Sequence, residues 1–452
     1  MKVVDPASGR LLREIPEHEP AELLRRLDRA ALAFTTWRAT AFRERAVLLH
    51  AAAAVLRRDG APLAELMTRE MGKPIVQSEG EIEKCSWACE YFAEHAARFL
   101  APEAIATDAS RSAVHCEPLG AVLAVMPWNF PFWQVFRAAA PALMAGNVML
   151  LKHASNVPGC ALAIEQVLAD AGLPAGVFAT LLASPQAIEP LVAHPAIAAV
   201  TLTGSEAAGA SLGAAAGRAL KKTVMELGGS DPFLVLADAD PEAVATQAAA
   251  ARTINSGQSC IAAKRFIVEE PIAQRFETAL VTRMRALKVG DPMDRATEVG
   301  PLAREDLIAE LDRQVYDSVV GGATLRTGGA QLERPGFYYA PTVVTNVRPG
   351  LPVFTEETFG PVAAVVRARD ADHAVELANI SRFGLGASVW TADSERGEAI
   401  AARIKAGQVF VNGIVKSDPR LPFGGVKHSG HGRELAAAGI REFVNLKTVW
   451  VR

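Results

Sequence analysis

The sequence predicts an α/β protein built around mostly parallel sheets, and three observations support this prediction. Residues up to about Leu100 show helical periodicity, and from Leu119 onwards short apolar runs alternate with helical stretches. Such alternation is typical of consecutive βαβ units. The chain has 452 residues, half of them hydrophobic. At roughly 150 residues per domain we expect about three units, or two large ones and a smaller one.

The first segment, from about Pro20 to Leu100, is predicted to be helical. Pro20 suits the first position of a helix, and apolar residues follow it at helical spacing: Leu23, Leu27, Ala30, Ala31 and Phe34. Gly60 and the run Gly72-Lys73-Pro74 interrupt the segment.

The alternating pattern falls into two regions that meet near Gly229. The first contains four apolar runs that suit buried strands: Ala121–Met126, Val148–Leu151, Val177–Leu182 and Ala198–Leu202. Helical stretches separate them near Phe136–Met144, Ala161–Ala171 and Ala187–His194. The second region has strands near Phe233–Leu236, Phe266–Val268, Val362–Val366 and Val409–Val411. Its helices are predicted near Pro241–Ala251, Ile272–Leu287 and His373–Ala378.

Two segments with strand-like composition lie outside both regions. They are Arg111–Glu117 and Glu442–Arg452. A strand without a neighbour has unpaired backbone groups along its edge, and a second subunit can pair with them. We therefore hypothesise a homodimer or a homotetramer.

Composition excludes several classes of partner. There are 47 basic and 50 acidic residues, a net charge of −3, so no electrostatic case exists for nucleic acid or an anionic membrane. Five cysteines with no CxxC pair favour a reducing compartment. The N-terminus lacks the apolar core of a secretion signal, and no run of about 18 apolar residues indicates a membrane span. The cytoplasm is the expected location.

Three motifs carry side chains suited to chemistry on a carbonyl carbon. Cys260 ends the run Asn255-Ser256-Gly257-Gln258-Ser259-Cys260, and Glu226 precedes the pair Gly228-Gly229. Asn129 lies in Pro127-Trp128-Asn129-Phe130-Pro131. Together they offer a sulfur nucleophile, a base and an amide donor for an oxyanion, as a covalent thio-intermediate requires.

Each of these residues also has an ordinary structural interpretation. A lone cysteine is usually a small core residue, a glutamate is usually solvated, and an asparagine between prolines is usually part of a turn. Gly257 and the polar neighbours of Cys260 favour a reactive thiol. The apolar neighbours of Glu226 favour a desolvated carboxylate with a raised pKa, which is a better base near neutral pH.

The signals for a dinucleotide are weaker. No G-x-G-x-x-G follows a strand, but Val200–Thr203 runs into Gly204-Ser205 and then into a predicted helix. A helix N-terminus with a glycine and a hydroxyl can bind phosphate, although an ordinary strand–turn–helix joint has the same pattern. Lys152, at the end of a predicted strand, is placed to reach a ribose or phosphate oxygen, or is simply solvated. The nine histidines show no metal-ligand spacing, so no metal site is expected.

Taken together, these motifs resemble the aldehyde dehydrogenase superfamily over essentially the whole chain. Two further runs add to the resemblance: Glu356-Glu357-Thr358-Phe359-Gly360-Pro361 and Pro422-Phe423-Gly424-Gly425. Three others look like the NAD(P)-dependent succinate-semialdehyde dehydrogenase branch: Arg69–Pro74, Leu151–Val157 and Glu226–Pro232.

The resemblance implies a domain plan and a role for individual residues. It implies a Rossmann-like cofactor domain (1–100 and 118–229), an α/β catalytic domain (230–420) and a small β oligomerisation arm (101–117 and 436–452). Cys260 would be the nucleophile, Glu226 the general base, and the Asn129 amide with the Cys260 N–H the oxyanion hole. NADP or NAD would contact Trp128, Lys152, Ser155, Gly204, Ser205, Leu227, Glu357 and Phe359.

Two positions depart from the pattern of the family. Many NAD-preferring relatives have a glutamate where this chain has Ser155, and serine removes the repulsion of a 2′-phosphate, so we expect NADP or dual use. Some succinate-semialdehyde enzymes place two arginines around the substrate carboxylate. Arg137 matches one, but Ile254 stands at the position of the other. Arg420 is the predicted substitute, with Ser417 adding a hydrogen bond.

The implied reaction is oxidation of an aldehyde, with succinate semialdehyde as the expected substrate, to the acid through a Cys260 thioester that water hydrolyses. Three alternatives are another aliphatic aldehyde or semialdehyde, a CoA-acylating dehydrogenase, and a cysteine hydrolase without redox chemistry. Glu226 argues against CoA acylation, because a hydrolytic base is not needed there. A non-enzymatic binding protein would not need Cys260, Glu226 and Asn129 together.

Overall fold

A computed structural model describes all 452 residues, from Met1 to Arg452. Its helices are α1 (Pro20–Trp37), α2 (Phe42–Arg58), α3 (Gly60–Met71), α4 (Ile75–Phe99), α5 (Trp133–Met144), α6 (Pro158–Asp170), α7 (Ile188–Ala193), α8 (Glu206–Arg218), α9 (Pro241–Thr253), α10 (Glu270–Ala286), α11 (Asp306–Val320), α12 (Pro352–Thr355), α13 (Ala371–Asn379), α14 (Ser394–Ala401) and α15 (Ala436–Ile440). Short 3-10 segments cover Pro185–Ala187, Ile254–Gly257 and Lys427–Ser429.

The strands form four sheets. They are β1 (Lys2–Asp5), β2 (Arg10–Glu14), β3 (Glu103–Ala104), β4 (Arg111–Pro118), β5 (Ala121–Met126), β6 (Val148–His153), β7 (Phe178–Thr180), β8 (Ile197–Thr203), β9 (Lys222–Glu226), β10 (Pro232–Val235), β11 (Arg265–Glu269), β12 (Thr324–Thr327), β13 (Thr342–Thr345), β14 (Val362–Ala368), β15 (Gly386–Trp390), β16 (Gln408–Val411), β17 (Gly430–His431) and β18 (Val444–Val451). The strands β1 and β2 form a hairpin of their own.

The helical prediction for the first segment is confirmed by α1 to α4. Leu23, Leu27 and Ala30 form the buried face of α1 together with Trp37, whereas Ala31 and Phe34 are only partly buried. None of the fifteen helices combines the length and the apolar character that a membrane crossing requires.

A six-stranded sheet has the order β17-β9-β8-β5-β6-β7 and is parallel except for β17. From β5 the chain adds β6 and β7 on one side, and then β8 and β9 on the other. The order therefore reverses between β5 and β8, and ligands of such sheets bind outside the carboxyl ends of the strands at that point. The four predicted strands are present as β5 to β8, whereas β9 and the two-residue β17 were not predicted.

A seven-stranded sheet has the order β12-β13-β14-β11-β10-β15-β16 and is parallel except for β12. The four strands predicted after Gly229 are confirmed as β10, β11, β14 and β16. The sequence did not reveal β12, β13 or β15. Both large sheets have helices packed against them, so the prediction of an α/β fold is confirmed.

The two outlying segments are strands, but they are not orphans. Strand β4 pairs antiparallel with β18 along its whole length, from Arg111 opposite Val451 to Pro118 opposite Val444, and the two-residue β3 pairs with Ala113 and Val114 on the other edge of β4. The premise that each segment lacks a neighbour is therefore wrong, although the outer edge of β18 and most of the second edge of β4 have no partner strand. Residues 436–440 form α15 and do not belong to this sheet.

The segment before Cys260 adopts a strained backbone. Asn255 and Ser256 have φ values of 52° and 56°, and Gly257 follows with φ 82°. Left-handed conformations of non-glycine residues are unfavourable and persist only where neighbours hold them. The Asn255 amide nitrogen donates to Asn129 O at 2.7 Å, and Ser256 Oγ accepts from Gly300 N at 2.9 Å. These bonds connect the segment to both large domains.

Gly257→Ala tests this constraint. A Cβ at residue 257 would lie 2.2 Å from Gly360 O, in addition to the strain of its positive φ. We expect the variant to be less stable by at least about 1–3 kcal/mol, measured as the free energy of unfolding in denaturant. The control is Gly217→Ala in α8, where a Cβ has open space and replacement of a helical glycine stabilises by roughly 0.5–1 kcal/mol. Equal stabilities for the two variants would contradict the prediction.

Candidate active site

Cys260 lies where two cavities meet. The first, which we call the chamber, has a volume of about 290 Å³, and its walls include Lys84, Phe130, Trp133, Arg137, Ser417 and Phe423. The second, which we call the cleft, has a volume of about 340 Å³, and its walls include Trp128, Asn129, Gly204, Ser205, Leu227, Glu357 and Phe359. Cys260 is the one residue that lines both cavities. A ligand in either cavity would therefore reach the same sulfur atom.

The cleft follows from the topology of the six-stranded sheet. Trp128 and Asn129 come just after β5, Gly204 and Ser205 just after β8, and Leu227 just after β9. Parallel strands end at the same edge of a sheet, so these loops meet at the point where the strand order reverses. The sequence prediction that they form one site is therefore consistent with their placement.

The electrostatics around Cys260 favour the neutral thiol. Burial raises the pKa of Cys260 to about 12, and the nearby positive charges of Arg137 and Lys264 oppose that rise. A thiol is a nucleophile only as its thiolate, so this site needs a further positive charge or a base to activate the sulfur.

Lys264 holds the backbone on either side of the thiol. Its fully buried Nζ donates to Ser259 O and Cys260 O at 2.9 Å and to Ala262 O at 3.1 Å. The same nitrogen lies 3.7 Å from the Glu357 carboxylate. A loop with these three bonds has little freedom to move the sulfur.

Glu226 ends β9 and is almost fully buried. Burial and, to a smaller extent, the neighbouring Glu434 carboxylate together raise the pKa of Glu226 to about 8, against the opposing charges of Arg137 and Arg433. Neither carboxylate oxygen has a hydrogen-bond partner in the protein. Glu226 lines neither cavity and faces Gly424. The structure brings Glu226 close enough to perturb the thiol electrostatically, but it does not bring the carboxylate into contact with it.

Asn129 is buried beside Cys260 on the cleft side. Its Nδ2 donates one hydrogen to Gln258 O at 3.1 Å, and a carboxamide has a second hydrogen to donate. This amide is thus fixed to the residue two before the thiol and can point at an oxygen on the carbon that is bonded to the sulfur.

Six of the eight residues predicted for the cofactor line the cleft. Trp128 and Phe359 meet edge to face at 5.7 Å and form its apolar wall. Glu357 accepts a hydrogen bond from Gly229 N at 2.9 Å; burial raises its pKa, and the charge of Lys264 opposes the rise. Ser205 caps α8 by accepting from Ala208 N at 3.3 Å. An apolar wall, a carboxylate and an open helix N-terminus suit the ring, ribose and phosphates of a dinucleotide.

Lys152 and Ser155, the other two predicted cofactor residues, do not line the cleft. Both lie at the carboxyl end of β6, the strand beside β5. Lys152 is buried, and burial lowers its pKa, while Ser155 is exposed. They are on the correct edge of the sheet to contact the far end of a dinucleotide that extends from the cleft.

The chamber contains two of the three predicted substrate residues. Arg137 is fully buried in α5, where it forms an ion pair with Glu434 and stacks on the Phe423 ring at 4.5 Å. Its Nη2 donates to Thr203 Oγ1 at 3.3 Å. Ser417 is buried and accepts a hydrogen bond from Lys84 Nζ at 2.7 Å.

The prediction for Arg420 is not supported by its position. Arg420 lines neither cavity, and its guanidinium makes a two-pronged ion pair with Asp418 at 2.9 and 2.7 Å. It also stacks over Trp87 at 5.3 Å, and most of its side chain is exposed. This local pair with a residue two positions away draws the guanidinium out of the chamber.

Sequence reasoning missed three charged residues of the site, namely Lys84, Lys264 and Glu434. Lysine and glutamate are solvated by default, so each needed a specific signal. For Lys264 the signal is its place at the start of the buried strand β11, and for Lys84 it is the apolar face of α4 beside Cys85. No group of three or more His, Cys, Asp or Glu is arranged to hold a metal ion.

Comparison with known proteins agrees with this geometry. A protein of Synechocystis sp. named as a probable NADP(+) succinate-semialdehyde dehydrogenase is 50% identical over 448 residues, which cover 99% of each chain. NADP(+) succinate-semialdehyde dehydrogenase 1 of Mycobacterium tuberculosis is 50% identical over 451 residues, again 99% of each chain. The crystal structure of succinic semialdehyde dehydrogenase from Streptococcus pyogenes with NADP+ superimposes with a TM-score of 0.97. It is 36% identical, and the match covers 100% of this chain and 99% of that one.

The model of the aldehyde dehydrogenase family matches residues 1–449. This match spans nearly the whole chain, including the thiol, the chamber and the cleft. The resemblance seen in the sequence motifs is thereby confirmed. The chain belongs to the aldehyde dehydrogenase family and is an enzyme that oxidises aldehydes.

Proposed function

We propose that this enzyme oxidises succinate semialdehyde to succinate with NADP as the preferred cofactor. The observation that carries the proposal is the position of Cys260 between the chamber, which offers cations, and the cleft, which suits a dinucleotide. The relatives at 50% identity support it, because each is named as a succinate-semialdehyde dehydrogenase that uses NADP(+). Ser155 also supports NADP, because no carboxylate at that position would repel a 2′-phosphate.

The chemistry begins at the sulfur. The partly exposed Cys260 thiol first gives its proton to water in the site. The resulting Sγ thiolate bonds to the aldehyde carbon, and the carbonyl oxygen becomes an oxyanion that the free Asn129 N–H and the Cys260 backbone N–H stabilise. The nicotinamide of a bound cofactor would supply the acceptor for the hydride that leaves this carbon. Loss of the hydride restores the carbonyl as a thioester of Cys260.

Glu226 then serves the second half of the reaction. As a carboxylate it takes a proton from the water that attacks the thioester carbon. The carbon–sulfur bond breaks, succinate leaves, and the Cys260 sulfur is released. Because Glu226 lines neither cavity, its side chain must turn towards the thioester or act through a bridging water.

The assembly and the location complete the proposal. The outer edge of β18 and the exposed apolar residues on it favour a homodimer or homotetramer, since an unpaired apolar edge is a template for association. Five free cysteines and the absence of a disulfide suit the reducing cytoplasm.

The substrate and cofactor are tested together by a steady-state panel. We expect kcat/KM for succinate semialdehyde to exceed that for butanal roughly 10- to 100-fold, because a buried charged hydrogen bond contributes about 1.5–3 kcal/mol. We expect NADP to be used more efficiently than NAD. Absorbance at 340 nm measures both. A strong preference for NAD, or equal efficiencies for the two aldehydes, would reject the corresponding half of the proposal.

Glu226→Gln separates the two halves of the reaction. We expect the first turnover to remain as a burst of one equivalent at 340 nm, while the steady-state rate falls roughly 10²- to 10⁴-fold because the base is lost. In the unsubstituted enzyme, kcat should rise with pH through about 8, since the raised pKa of Glu226 keeps the carboxyl protonated below that pH. The variant should lack this rise. A variant that turns over normally would show that Glu226 is not the base.

Asn129→Ala tests the oxyanion hole. Removal of one donor typically lowers the rate roughly 10²- to 10³-fold, and we expect kcat/KM to fall by that amount. Alkylation of Cys260 by iodoacetamide forms no oxyanion and serves as the control. If alkylation slows as much as catalysis, the substitution has displaced the thiol and has not removed a donor.

A further inference from the structure

Lys84 is a cation inside the chamber without an anionic partner. It lies on α4, its Nζ donates to Ser417 Oγ at 2.7 Å, and it stands 4.2 Å from the centre of the Trp133 ring. No carboxylate lies within 4.0 Å of its Nζ, whereas the buried Lys73, Arg137 and Lys264 each have one. Lys84 is half-buried, and an unpaired charge that is partly removed from water is unfavourable unless a counter-ion reaches it.

The carboxylates nearest to Lys84 are all engaged elsewhere. Glu81 pairs with Lys73 and also accepts hydrogen bonds from Phe132 N and Trp133 N at 2.9 Å. Asp418 pairs with Arg420. Neither is free to neutralise Lys84.

Arg137, whose positive charge repels that of Lys84, is itself paired with the Glu434 carboxylate. The charge of Arg137 is therefore largely balanced before any substrate enters the chamber. Lys416 also lines the chamber but is exposed to solvent, so Lys84 is the least screened of the cations available to an anionic substrate.

We propose that Lys84, with the hydroxyl of Ser417, binds the carboxylate of the substrate and supplies the charge that the absent second arginine provides elsewhere. This inference rests on the proposed function, because it presupposes an aldehyde that bears a carboxylate. Arg137 would then contribute less than Lys84 to the binding free energy of the substrate carboxylate, because its guanidinium already forms an ion pair with Glu434. The aldehyde end then reaches Cys260, which lines the same chamber.

The electrostatics give the inference a pH signature. Desolvation and, to a smaller extent, repulsion from Arg137 together lower the pKa of Lys84 to about 8, against the opposing influence of Cys85, Glu81 and Asp418. As pH rises through about 8, Lys84 loses its proton and with it the attraction for a carboxylate. Groups that act on both substrates change kcat/KM for both equally as they titrate. Their effect therefore cancels in the ratio of kcat/KM for succinate semialdehyde to kcat/KM for butanal. This ratio should fall through the same pH range.

Lys84→Met is the principal test. At pH 7 we expect KM for succinate semialdehyde to rise roughly 10- to 100-fold, while kcat/KM for butanal stays within about twofold. Lys84→Arg should restore most of the preference, because it restores the charge. Lys416→Met is the matched control: it removes the same charge from an exposed position at the mouth of the chamber, where solvent screens it, so KM should change less than about threefold.

The outcomes separate the two proposals. If the unsubstituted enzyme prefers succinate semialdehyde and Lys84→Met keeps that preference, or loses efficiency equally with both aldehydes, the role of Lys84 is rejected and the proposed function stands. If the unsubstituted enzyme shows no preference, the proposed substrate is rejected and this inference with it. A substrate ratio that stays flat with pH in the unsubstituted enzyme, or falls equally in Lys84→Met, would also overturn the inference.

Discussion

The three hydrogen bonds from Lys264 to the backbone around Cys260 are the interaction on which the site depends. They fix a cysteine that follows three consecutive left-handed residues, a conformation that a free loop would not keep. Lys264 precedes β11 in the seven-stranded sheet, whereas Asn129 and Glu226 lie at the edge of the six-stranded sheet. The ammonium group therefore fixes the Cys260 loop on the side of the seven-stranded sheet, and the Asn129 hydrogen bonds to Gln258 and Asn255 connect this loop to the six-stranded sheet. Its proximity to Glu357 extends the same anchor to the wall of the cleft.

Low solvent access governs the protonation of the groups in the site. Burial raises the pKa of both Cys260 and Glu226, so near neutral pH the thiol is protonated and the carboxyl is largely protonated as well. A reactive thiolate would be open to oxidation or alkylation before any aldehyde arrived. The proposed nucleophile and the proposed base are therefore largely uncharged in the free protein, and their charged forms become favourable only when ligands alter the surroundings.

The sequence predicted the regular part of the fold well, for a physical reason. Strands such as β5, β6 and β8 are buried on both faces, so they read as continuous apolar runs of strand length. By contrast, β17 has two residues and β12 is half exposed, so neither leaves such a run. The pairing of β4 with β18 was missed because about 330 residues separate the two strands, and no local pattern encodes a contact over that distance.

The site was predictable where a residue type is unusual in its setting. A cysteine after a glycine turn and a glutamate between apolar residues both gave such signals. Lys84 gave only a weak signal, its place beside Cys85 on α4, because a lysine on an amphipathic helix is solvated in most proteins. The prediction for Arg420 also relied on residue type and position in the sequence alone. The sequence did not reveal that the Arg420 guanidinium pairs with Asp418, two residues earlier.

That the chamber and the cleft have only Cys260 in common has a consequence for how such an enzyme diversifies. If, as proposed, the chamber binds the aldehyde and the cleft binds the dinucleotide, the preference for each ligand depends on a separate set of side chains. Exchanges on the chamber walls can redirect the catalyst to new aldehydes while coenzyme usage stays as it was, and the reverse also holds. A library built for altered specificity can therefore randomise one set and leave the other intact, provided that the shared sulfur is kept.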